Sequence, residues 1–229
     1  MSYYPPPAPP AVPPSAPPPA LPPAPSLTSV AGPIILKYEG LDQPQTTILG
    51  DSGLTIGIGY DMGYEENFAL DWQSDMPARW KDRLSVMIGR KGDNARRVQA
   101  MNYRFPGIVI SRSSAEHVFY TSTLPKYTKM TEDALPGILA LPVLVQAVLV
   151  SLVYVRGAGF TDSRNPAHPH SRSEMRDVRD AVARGDLVSI AASLAAMARL
   201  WVGTNEPGNA TRVISEAQMV LSAVSSKLA

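Results

Sequence analysis

Leu54-Thr55-Ile56-Gly57-Ile58-Gly59-Tyr60-Asp61 alternates large apolar or aromatic side chains with glycine, a hydroxyl and a carboxylate. Read as one extended strand, it turns Thr55, Gly57, Gly59 and Asp61 to one side and Ile56, Ile58 and Tyr60 to the other. The apolar set predicts a core behind the strand. The opposite face carries a hydroxyl, two positions without side chains and a carboxylate, which suits a bulky polymer lying against the backbone.

Upstream, Gly32-Pro33-Ile34-Ile35-Leu36-Lys37-Tyr38-Glu39-Gly40 predicts a short helix with Pro33 in its first turn and Gly40 just past its end. Glu39 then falls at the helix C-terminus, where the macrodipole disfavours the carboxylate by about 0.3–1 kcal/mol and pushes the acid toward its protonated form. Thr46-Thr47-Ile48-Leu49 and Leu54 to Tyr60 are two β-prone runs separated by the turn residues Gly50-Asp51-Ser52-Gly53, which predicts a hairpin. A helix, a hairpin and acids at their junction make a glycosidase arrangement: one carboxyl protonates the leaving oxygen and another acts on the opposite face of the sugar.

Downstream, Leu139 to Val155 is apolar on all sides but broken by Pro142, Gln146 and Ser151. It falls short of the roughly 18–20 clean apolar residues that a bilayer requires, so it predicts a buried central helix and no membrane insertion. Ser173 to Arg184 should end at Gly185, Asp186 should cap Leu187 to Trp201, and Asn209 should cap a last helix through Leu221.

The order of these segments resembles a known family. Tyr38-Glu39-Gly40 followed by Gly50 to Tyr60 is similar to the catalytic entrance of phage-type lysozymes, where E-G, a D-x-x-G turn and T-I-G-I-G occur in that order. The continuation Tyr60-Asp61-Met62-Gly63 is more similar to the pesticin-like muramidases, including domains fused to secretion-system spike proteins. Ser151-Leu152-Val153-Tyr154-Val155-Arg156-Gly157 resembles their Y-N-R-G run, with Val155 where asparagine is usual. Leu200-Trp201 and Asn209-Ala210-Thr211-Arg212-Val213-Ile214 resemble the closing W…N-x-A-x-R-V-I segment of phage lysozymes.

The resemblance implies a lysozyme-like, two-lobed α+β domain over residues 31–229 that cleaves the β-1,4 bond between N-acetylmuramic acid and N-acetylglucosamine. Glu39 matches the general acid and Thr55 the threonine that positions water. The second carboxylate is Asp61 by the pesticin spacing and Asp51 by the phage pattern; the strand argument favours Asp61. Tyr60, Tyr154 and Arg156 are implied substrate contacts. Two alternatives stay open: a non-catalytic wall-binding module on the same fold, and a lytic transglycosylase working with Glu39 alone.

Composition bounds the rest. The first 25 residues hold 13 prolines, so residues 1–30 predict an extended polyproline tail or linker. The formal net charge of +1 argues against a dedicated nucleic-acid binder. With no cysteine, neither disulfides nor a thiolate metal site can form. His168-Pro169-His170 lacks acidic or thiol neighbours at ligand spacing, so no metal and no cofactor are expected. No signal peptide is visible, which predicts release by phage-type lysis or delivery by a secretion apparatus through the tail, action on peptidoglycan in the periplasm and, for a delivered effector, an immunity protein as partner.

Overall fold

The computed structural model describes residues 25–162, 171–204 and 207–228. The helices are α1 (Leu27–Leu36), α2 (Phe68–Asp71), α3 (Ala78–Leu84), α4 (Gly92–Met101), α5 (Arg112–Val118), α6 (Leu124–Ala134), α7 (Val143–Arg156), α8 (Ser173–Arg184), α9 (Leu187–Met197) and α10 (Pro207–Leu228). Between α1 and α2 lies a two-stranded antiparallel sheet, β1 (Thr55–Ile56) and β2 (Tyr60–Asp61). The architecture is α+β, mainly helical. The proline-rich residues up to 24 and the His168-Pro169-His170 motif lie outside the described residues.

The 54–61 stretch does not run as one strand. It doubles back, because Gly57 and Gly59 take φ of +62° and +61°, a conformation that costs other residues a Cβ clash. The strands pair Thr55 with Asp61 and Ile56 with Tyr60. Residues directly opposite in an antiparallel pair project from the same face, so Thr55 and Asp61 do share a face, as cross-strand neighbours rather than along one strand.

The hairpin expected between Thr46-Leu49 and Leu54-Tyr60 is absent. Glutamine side chains tie the 43–46 segment down in place of a ladder: Gln99 Nε2 donates to the Pro44 and Thr46 carbonyls at 2.7 and 2.9 Å, and Gln45 Nε2 reaches out to the Phe105 and Ile108 carbonyls at 2.9 and 3.0 Å. Only Asp42 joins the sheet region, through a bridge to Gly57.

α1 starts earlier than Pro33. The Ser26 hydroxyl accepts from Ser29 N at 3.2 Å, and Leu27, Val30, Ala31, Ile34 and Ile35 form a helical stripe packed against the core, which carries the helix through an internal Pro33. The expected boundary between residues 30 and 31 therefore falls inside α1. The helix ends at Leu36 with Lys37 as its cap, so Glu39 lies beyond the helix terminus rather than on it.

α7 is the axis of the core. It opens after Pro142, and Val145 to Val153 are buried without interruption, polar Gln146 and Ser151 included. α1, α6 and α10 pack against it. The expected punctuation of the later helices holds: α8 stops at Gly185 with φ of +66°, and Asp186 caps α9 by accepting from Ser189 N at 3.0 Å. α9 tightens into a 3₁₀ turn over Ala198–Trp201, and α10 begins at Pro207, ahead of the expected cap at Asn209. No helix among the described residues is long and apolar enough to cross a membrane.

Candidate functional site

Glu39 leaves the end of α1 and meets α10. Its Oε1 accepts from Nη1 of Arg212 at 2.7 Å, with the carboxylate about a quarter exposed and the guanidinium buried. The contact spans 173 residues of sequence. Arg212 is held from behind, where Nη2 donates to Ser151 Oγ at 2.7 Å and Nε to Ser151 Oγ and Glu216 Oε1, both at 3.2 Å. The Ser151 hydroxyl donates to Glu216. Tyr38 and Tyr154 flank the guanidinium, their ring centres 5.2 and 5.8 Å from it, within cation–π range. Burial pushes the Glu216 carboxyl above the usual glutamate range, against the lowering influence of Arg212 and Ser151.

The hairpin meets this group through Tyr154. Asp61 is half-buried, and its Oδ1 accepts from Gly63 N at 2.8 Å and Gly53 N at 3.0 Å, while Oδ2 lies 3.2 Å from the same Gly53 N. The two amides fix the carboxylate. They also occupy it, so Asp61 closes the 53–63 loop whatever else it does. Across the ladder, half-buried Thr55 makes no side-chain hydrogen bond to the described residues.

Tyr154 joins the two halves. Its ring packs on Tyr127 with centroids 4.8 Å apart, and its hydroxyl lies where a Cβ on Gly59 would come within 1.7 Å. That hydroxyl is buried with no hydrogen-bond partner among the described residues, and burial followed by the negative charge of Glu39 raises its pKa well above the ordinary value. Tyr127 is pushed up to about 12, first by burial and then by Glu65, Asp61, Glu39 and Tyr64. Glu39, Asp61 and Glu65 thus all act on Tyr127, whose ring is tilted 54° against that of Tyr154.

Two acids absent from the sequence reading belong to this group. Asp42, paired through its backbone with Gly57, is held above the usual aspartate range by burial and by Glu39. Glu65 is raised by burial and bonds Lys126 at 2.7 Å; it also lines a polar cavity of about 260 Å³ with Tyr60, Asp71, Thr123 and Lys126.

The other expected residues lie elsewhere. Asp51 is exposed, in a turn pinned to α4 by Gly92 N on the Ser52 carbonyl at 2.9 Å and by Arg96 Nη1 on the Gly50 carbonyl at 2.8 Å. Tyr60 is buried, its ring edge-on to Trp72 and its hydroxyl donating to Asp71 at 2.6 Å, as its place in the apolar alternation requires. Arg156 is buried beneath Trp201, donates to the Ser171 carbonyl at 2.7 Å, and is lowered to about 10 by burial and by Arg172. It faces α8 and the Trp201 turn, away from Glu39. No group of three His, Asp or Glu among the described residues could hold a metal.

Arg212, Ser151 and Glu216 were missed as site residues although each stands in or beside a segment quoted for its resemblance. The one local signal was Glu216 four residues after Arg212, a helical ion-pair spacing. Compared with known proteins, the chain matches no protein-family model and no curated protein.

Proposed function

We propose that this chain is a lysozyme-like peptidoglycan hydrolase that cuts the β-1,4 bond between N-acetylmuramic acid and N-acetylglucosamine. The observation that carries the reading is Glu39: a partly exposed carboxyl held by a buried arginine, and linked through Tyr154 to a hairpin that presents Thr55 and Asp61 from one face. A general acid needs a fixed position and access to the glycosidic oxygen; the Arg212 bond goes to Oε1, and the side chain stays about a quarter exposed. Asp61, oriented by two backbone amides, stabilises the oxocarbenium-like transition state, and Thr55 orients the attacking water.

The same amides favour a second reading. With both Asp61 oxygens engaged, Glu39 can act as the sole acid and base of a lytic transglycosylase, the sugar's own hydroxyl replacing water. Digestion of purified peptidoglycan followed by mass spectrometry separates the two, because hydrolysis leaves reducing ends and transglycosylation leaves anhydro ends. Glu39→Gln should abolish either product, since loss of general-acid help costs about 10²–10⁴-fold. Unchanged lysis by folded Glu39→Gln, or intact wall after treatment with the wild type, refutes the proposal. In biological terms the reading is an antibacterial effector delivered through its proline-rich tail, or a phage-type lysin.

A further inference from the structure

The chemistry proposed for Glu39 leaves three buried polar residues on the far side of it without a task. Arg212, Ser151 and Glu216 are each at most 1 % exposed, and they form one hydrogen-bonded set between α7 and α10, in which Glu216 Oε2 finds no partner among the described residues. Burying a cation and a carboxyl together gives little stability on its own, because the desolvation cost offsets the attraction, and apolar residues of the same size do as well or better. The set therefore calls for another reason.

Geometry supplies one. A guanidinium is a rigid planar fork, so fixing one edge fixes the direction of the other. Ser151 and Glu216 take the Nε and Nη2 edge, and the ring faces of Tyr38 and Tyr154 lie within cation–π distance. What remains is Nη1, aimed at Glu39 Oε1. Glu39 itself sits on irregular chain past the end of α1, with no helix or strand to hold its side chain. Its carboxylate is held from α7 and α10, through Arg212.

We propose that Ser151 and Glu216 are positioning residues for Glu39, acting through the Arg212 guanidinium. The inference rests on the glycosidase reading of Glu39. It treats Ser151 as the hinge of the set, since its oxygen receives both Nε and Nη2 and donates to Glu216. Arg212 is the only charged group acting on Glu216 among the described residues.

The test measures kcat and KM separately on soluble, uncross-linked glycan strands for wild type, Glu39→Gln, Ser151→Ala, Glu216→Ala and Glu216→Gln, each assayed well below its own melting temperature. A shift of about 1 Å in a reacting group costs on the order of 10²-fold. Ser151→Ala and Glu216→Ala should each lower kcat at least 10-fold with KM within 2-fold, because the strand still binds while the acid is misaimed. Glu216→Gln keeps an oxygen acceptor for Nε and should recover most of the kcat lost in Glu216→Ala. Loss of kcat that Glu216→Gln fails to recover, or Ser151→Ala and Glu216→Ala variants with wild-type kcat, overturns the positioning role. Should Glu216→Ala not fold, Ser151→Ala and Glu216→Gln decide it alone: full kcat in Ser151→Ala refutes. A fully active Glu39→Gln instead refutes the glycosidase reading itself, so the two failures are told apart.

Discussion

Replacing Gly59 by alanine tests whether the hairpin is seated on α7. Two costs apply at this residue. Its φ is +61°, and an L-residue there is strained by about 1 kcal/mol. The new methyl would also start 1.7 Å from the Tyr154 hydroxyl oxygen and 2.6 Å from the ring carbon bearing it, so the tyrosine or the hairpin must move. Overpacking of this kind costs about 1–3 kcal/mol, for a total of about 2–4 kcal/mol. In a domain near 200 residues, 1 kcal/mol shifts Tm by about 2–4 °C, which predicts a loss of about 4–16 °C. Gly50→Ala is the matched control: its φ is +53° and nothing lies within 4 Å of the added carbon, so it carries the backbone cost without the clash. Thermal unfolding by circular dichroism compares the pair. Should Gly59→Ala melt within 2 °C of Gly50→Ala, the close seating of Tyr154 on the hairpin is wrong.

Other outcomes follow from the same geometry. Asp61→Asn should reduce wall lysis more than Asp51→Asn and also lower Tm, since Asp61 accepts both the Gly53 and Gly63 amides, whereas Asp51 lies in an exposed turn; equal lysis by the two folded variants would count against Asp61. Thr55→Ala should slow lysis with little change in Tm, read by turbidity and calorimetry. Burial holds Glu216 above the ordinary 4.5, so the folded state keeps a proton that the unfolded chain releases. Its contribution to stability is complete below that pH and is lost as pH rises through the folded value; denaturant titrations of Glu216→Gln should show a flatter decline above pH 4.5 than wild type. Truncation to residue 25 should melt at least about 1 kcal/mol more stable than truncation to residue 31, because the second removes the Ser26 cap and the first turn of α1.

Local rules made the helical half legible. Gly185 and Asp186 punctuate α8 and α9 through residues that supply a left-handed turn and a capping oxygen, and unbroken apolarity marks α7 as central. The hairpin was harder, because alternation of glycine with isoleucine fits an extended strand and a tight reversal equally well, and only the sign of φ at Gly57 and Gly59 separates them. Thr55 and Asp61 came out on one face under both readings. Glu39 was visible as a candidate acid, yet its partner was not: a guanidinium arriving from 173 residues away leaves no local trace. Tyr60 illustrates a conflict within the sequence reading, since the alternation that marks Asp61 as outward also marks Tyr60 as core, and there it lies.

Ser151 and Tyr154 are three residues apart on α7, hence neighbours on one side of a helix packed all round. One is bonded to the arginine that carries Glu39; the other bears the hairpin that carries Asp61. Glu39 and the hairpin are thus both referred to a single turn of one rod. A change in the pitch of that turn therefore reaches the acid and the hairpin at once, the first through Arg212 and the second through the Tyr154 hydroxyl.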